Sequence, residues 1–111
     1  MEISQALDAL AALAQRSRLA IFRLLVEAGP GGLAAGVIGE KLELPPATLS
    51  FHLSQLVRAG LVASRQEGRF VIYSASFETM TSLVAYLTEN CCGGASCGPS
   101  PVRRRRATAR A

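Results

Sequence analysis

Leu33 to Ser74 reads LAAGVIGEKLELPPATLSFHLSQLVRAGLVASRQEGRFVIYS, two short helical patterns followed by two runs of strand-forming residues. Residues 33–43 place Leu33, Val37, Ile38 and Leu42 on one side of a glycine-weakened helix that stops at Leu44-Pro45-Pro46. Pro46 suits the first turn of a second helix, because its fixed φ matches a helix and its missing N–H would have had no partner there. Ala47 to Ala59 then sets Leu49, Leu53, Leu56 and Val57 on a core-facing stripe, and Gly60 ends it as the residue past the cap. Residues 61–66 and 69–74 are rich in β-formers and separated by Glu67-Gly68, which predicts a hairpin. A short helix, a tight turn, a second amphipathic helix and a two-stranded hairpin spell a winged helix-turn-helix.

On the N-terminal side, residues 3–15 repeat Leu7, Leu10 and Leu13, with Ile3, at helical steps, which predicts a helix whose leucines face the core. Its alanine-rich flank is left to pack on another chain. Ser17 reads as the N-cap of a nearly all-round apolar helix carrying Leu19, Ile21, Phe22, Leu24, Leu25 and Val26, broken at Gly29-Pro30-Gly31-Gly32. On the C-terminal side, residues 77–91 return to helix with Met80, Leu83, Val84 and Leu87 on one face, closed by Gly93-Gly94. The expected fold is therefore mainly α, five helices plus a two-stranded wing. Residues 1–92 form one DNA-binding and dimerisation domain, and residues 93–111 form a cysteine-containing turn and a disordered Arg-rich tail. At 111 residues, half of them hydrophobic, a core completed across a homodimer is expected, because a small monomer buries a limited share of its surface.

The net charge of +4 changes meaning when divided along the chain. Arg103 to Arg106 and Arg110 are all positive, whereas residues 1–102 hold one more acidic than basic residue. The folded part is nearly neutral, and the arginine run adds at most a salt-dependent attraction to phosphates. No run of 18 apolar residues is present to span a bilayer, and Glu2 and Asp8 stand where a secretory leader would be positive. A cytoplasmic protein is expected.

In a helix-turn-helix, the second helix offers the outward residues of its N-terminal part to base edges. The outward set reads Ala47, Thr48, Ser50, Phe51, His52 and Gln55. Gln55 has the amide suited to adenine, and Thr48, Ser50 and His52 suit phosphates or mixed contacts. Arg65 and Arg69 flank the wing tip, where they can straddle a phosphate ridge or enter a minor groove. Arg58, near the end of the helix, reads equally well as a charge favoured by the helix dipole.

Three stretches resemble the ArsR/SmtB family of metalloregulatory repressors. They are Ser17-Arg18-Leu19 with Ile21 and Leu24-Leu25; Thr48 to Leu56 running into Ala59-Gly60-Leu61-Val62; and Arg65, Gly68, Arg69 and Tyr73. The resemblance implies a dimer built from the first and last helices, two recognition helices on a palindromic operator in double-stranded DNA, and release when an inducer binds. It departs from the arsenic-responsive prototype, because the helix at Leu33 to Leu44 carries no cysteine.

All three cysteines, Cys91, Cys92 and Cys97, fall after the last helix. They resemble a family subset in which a C-terminal cysteine trio senses trivalent arsenic. Coordination number supports that assignment: structural zinc takes four ligands, whereas arsenite or antimonite needs three sulfurs. The choice among arsenic, antimony, bismuth and cadmium stays open. A thiol-based redox or persulfide sensor is the rival, although a helix C-terminus opposes thiolate formation. A thiol oxidoreductase or arsenic-handling enzyme is disfavoured, since no Cys-x-x-Cys, phosphate loop or Ser/His/acid grouping is present. No catalytic residue or catalytic cofactor is expected.

Overall fold

Turn chemistry sets where each helix begins and ends. In the computed structural model, which describes residues 1–94, the order is α1 (Ile3–Leu13), α2 (Arg16–Ala28), β1 (Leu33–Ala34), α3 (Ala35–Leu42), α4 (Pro46–Arg58), β2 (Val62–Glu67), β3 (Phe70–Ala75), α5 (Phe77–Thr88) and a 3-10 turn, Cys91–Gly94. Glu2 and Gln5 close a reciprocal capping box on α1. α2 is capped by Gln15, whose side chain accepts from the Arg18 N–H at 2.8 Å; Ser17, the expected cap, lies inside the helix. α4 ends in a Schellman turn: Gly60 N–H donates to Val57 O, Leu61 N–H donates to Leu56 O, and Gly60 takes φ +81°. Leu56 and Leu61, which that motif brings together, are both fully buried.

The wing gains a strand that the sequence did not announce. Leu33 and Ala34, expected to open a helix, pair antiparallel with Tyr73 and Ile72, so the sheet has three strands in the order β1-β3-β2. Gly32 makes this approach feasible: at φ +70°, a Cβ there would run into the Tyr73 carbonyl oxygen. The β2–β3 register pairs Glu67 with Phe70, so the connecting residues are Gly68 and Arg69, one position later than expected. Of these two only Gly68 has positive φ, +63°, in keeping with the glycine that such tight hairpin loops favour at their first position.

Ile21, Leu25, Ile38, Leu53, Leu56 and Leu61 form the centre of the core, drawn from α2, α3, α4 and the start of the wing. α1 reverses its expected orientation. Ala6, Ala9 and Ala12 face inward, while Ile3, Leu7 and Leu10 stand exposed. Small side chains let α1 lie close against α2, α4 and α5, and its leucines are left on the outside. α5 is similarly split, with Leu83 buried and Val84 and Leu87 exposed.

Candidate nucleic-acid interface

α4 projects its side chains in two directions. Leu49, His52, Leu53 and Leu56 point into the core; Ala47, Thr48, Ser50, Phe51, Ser54, Val57 and Arg58 are exposed. Thr48, Ser50 and Phe51 thus stand outward as the sequence predicts. Ser54, absent from the outward set expected from sequence, belongs with them; its spacing of four from Ser50 and three from Phe51 puts it on the same face.

His52 is a correction: expected on the DNA side, it is only 8% exposed. Arg18 explains how a histidine is accommodated there. Its Nε donates to the Ala12 carbonyl at 2.7 Å, and its Nη1 lies 3.3 Å from His52 Nδ1. Arginine can only donate, so Nδ1 accepts and the ring is the neutral tautomer protonated on Nε2. Burial, and secondly the Arg18 charge, hold the His52 pKa below its usual value. The Phe51 ring meets the His52 ring edge-on, with centroids 5.6 Å apart and planes at 61°.

Gln55 also departs from expectation. It is half-buried and lines a recess with Asp8, Ala12, Arg18 and Arg58, which turns it toward α1 and away from the middle of the outward surface. The wing arginines differ from each other. Arg65 is occupied: its Nε bonds Glu67 Oε2 at 2.6 Å, and its Nη2 donates to the Gly31 carbonyl at 2.8 Å, tying the wing to the loop before β1. Arg69, at the tip, makes no hydrogen bond or ion pair among the described residues. Between α4 and the sheet runs a groove lined by Ser50, Ser54, Val57, Arg58, Ser64 and Tyr73.

Two further features lie toward the two ends of the described chain. Ile3, Leu7 and Leu10 of α1 and Val84 and Leu87 of α5 are large, exposed and apolar. Beyond α5, which ends three residues earlier than expected, Cys91 and Cys92 are exposed in the 3-10 turn with their sulfurs 3.5 Å apart. Cys92 is disulfide-bonded. Cys97 lies outside the described residues, as do the arginines of the tail, and no group of three metal-binding side chains gathers among the described ones. None of the helices among them is long and apolar enough to cross a membrane.

Residues 13–65 match the model of a helix-turn-helix domain. The transcriptional activator HlyU of Vibrio cholerae is 33% identical over 84 residues, covering 76% of this chain and 75% of that protein. Its solved structure superposes with a TM-score of 0.63 at 36% identity, covering 78% of this chain and 97% of that one. A solution structure from Mycobacterium bovis, described as a homodimeric winged helix-turn-helix domain of a possible ArsR-family regulator, gives a TM-score of 0.65 at 25% identity, covering 87% and 90%. The chain belongs to the ArsR family. It is a DNA-binding transcriptional regulator, and the relatives are regulators rather than enzymes. Two more proteins are similar to this ArsR-family chain. A solved structure described as a possible transcriptional regulator for arsenical resistance is 28% identical, with a TM-score of 0.63 and coverage of 72% and 80%. An uncharacterised HTH-type regulator, YceK of Bacillus subtilis, is 43% identical over 58 residues, and that match spans 57% of its length and 52% of this chain.

Proposed function

We propose that the protein is a homodimeric repressor that leaves its operator when trivalent arsenic or antimony is bound by Cys91, Cys92 and Cys97. The observation that carries the reading is the pair of exposed cysteines, with sulfurs 3.5 Å apart, directly after the helix whose Val84 and Leu87 are exposed and apolar like the leucines of α1. Two sulfurs held at about 2.3 Å from one ion stand roughly 3.5–4 Å apart at tetrahedral-like angles. Once the Cys92 disulfide is reduced, a separation of this size suits a shared soft ion, with Cys97 as the third donor. Arsenous acid condensing with three thiols releases three waters and no net proton, so inducer binding is nearly independent of pH around neutrality. A relative named for arsenical resistance lends support.

Pairing of two copies through α1 and α5 covers the exposed leucines and directs two α4 helices at one duplex; that a relative is homodimeric supports the pairing itself. A ligand clasped just after α5 then acts on the seam between subunits, and a change of seam alters the spacing of the two α4 helices. Coupling free energies of this kind are about 1–3 kcal/mol, or roughly 5–150-fold in DNA affinity.

One observation favours a second reading, a thiol-based redox switch: Cys92 is disulfide-bonded. With hydrogen peroxide as oxidant, two thiols lose two electrons and two protons, giving a disulfide and two waters, and the same cysteines then report oxidation. The two readings separate in one titration. Duplex enriched from a randomised library is titrated at fixed salt with reduced protein, then with arsenite, then with peroxide or polysulfide. The metalloid reading requires release by arsenite that is lost when the three cysteines become serine. Release by oxidant alone establishes the redox switch.

A further inference from the structure

In the major groove, bases are told apart by their donor and acceptor patterns and by the methyl group that thymine alone carries. The exposed surface of the first three turns of α4 consists of Pro46, Ala47, Thr48, Ser50, Phe51 and Ser54. None of these has the two-pronged amide or guanidinium that selects adenine or guanine. Gln55 is withdrawn toward α1, and Arg58 lies roughly 10 Å further along the axis than Phe51, at the last residue of the helix. Serine and threonine hydroxyls both donate and accept, and therefore tolerate either partner.

What remains is apolar. The Phe51 ring is 57% exposed, and Ala47 and Thr48 stand four and three residues before it, on the same side of the helix. The ring also has a neighbour that restricts it: it meets His52 edge-on, and His52 is itself buried and in contact with Arg18. A side chain already braced loses little freedom when a partner covers it.

We propose that Phe51, with the Ala47 methyl beside it, reads the 5-methyl group of a thymine, so that this regulator selects its half-site at that position by apolar contact rather than by hydrogen bonding. The inference rests on α4 being the DNA-reading helix.

The test uses full-length protein and a randomised duplex library of roughly 30 base pairs, long enough for two half-sites one helical turn apart. The winning duplex is resynthesised with deoxyuridine in place of each thymidine in turn, which deletes only the methyl. One position in each half-site is expected to lose about fourfold in affinity, the effect of uncovering a single methyl. In Phe51→Ala, whose fold is checked by circular dichroism, that sensitivity disappears while the duplex is still bound, more weakly. The proposal is overturned if no uridine substitution matters to the wild type, or if Phe51→Ala retains the same sensitivity. Failure of the library to enrich any sequence is a different result, which removes the DNA-reading role of α4 and the proposal with it.

Discussion

Replacing Leu7 with alanine should loosen the dimer by about thirtyfold. Leu7 is 58% exposed in the single chain, with Leu10 three residues on along the same helix; Leu87 of α5 is 57% exposed. Complete burial of a leucine is worth about 1.5–3 kcal/mol, and roughly half of that is still to be gained from a partner, about 1 kcal/mol. A two-fold axis uses every side chain twice, so the loss per dimer is about 2 kcal/mol, or roughly thirtyfold in Kd. Sedimentation equilibrium across a range of concentrations measures this, with Arg23→Ala, exposed on α2, as a control that should leave Kd unchanged. Melting of the α1–α2 core is not expected, because the inward residues of α1 are alanines. A change in Kd of less than about threefold, or a wild-type protein that stays monomeric, would refute the assignment of this face to dimerisation.

Glu43 closes α3 in the left-handed region, φ 55° and ψ 47°; Glu43→Gly should stabilise the fold by about 1 kcal/mol in urea melts, because glycine takes that conformation without steric cost. Gly32→Ala should destabilise by about 2 kcal/mol or more, since it combines positive φ with a collision against the Tyr73 carbonyl; a lowered melting temperature with loss of β1 pairing checks it. His52 has its folded pKa depressed, so the unfolded chain takes up the proton first. The stability due to neutral His52 is therefore complete above about pH 6.5 and declines as pH falls from there toward the folded pKa. Denaturant melts at pH 7.5 and 5 should show this slope, and His52→Asn should flatten it.

The order of elements was legible because proline and glycine punctuate it: Pro45-Pro46 between α3 and α4, Gly60 after α4 and Gly68 in the wing all act where local chemistry predicts. β1 was not, since two residues carry no periodicity and the reason for their extension is a strand some 40 residues away. The orientation of α1 departs from the sequence pattern for a different physical cause. Ranking leucine above alanine for burial holds for a chain that folds alone, whereas here the alanines serve close packing within the chain and the leucines are left facing outward. At the site, Thr48, Ser50 and Phe51 followed from helical spacing. His52 sits at the edge of the buried arc of α4, and what accommodates it is Arg18, a partner 34 residues distant. Arg65 likewise looked free only because its acceptor, the Gly31 carbonyl, lies on another element. Composition alone singled out the cysteines; their chemistry depends on Cys97, beyond the described residues.

The guanidinium of Arg18 is flat and rigid, and it bonds the final turn of one helix and the middle of another at once. Those two anchors cannot slide past each other without breaking a bond in a poorly hydrated place. On the proposed pairing through α1 and α5, this tie makes α1 and α4 two blades on one shaft, so that a twist imposed at the seam is expected to reach the double helix without a lengthy relay of moving parts.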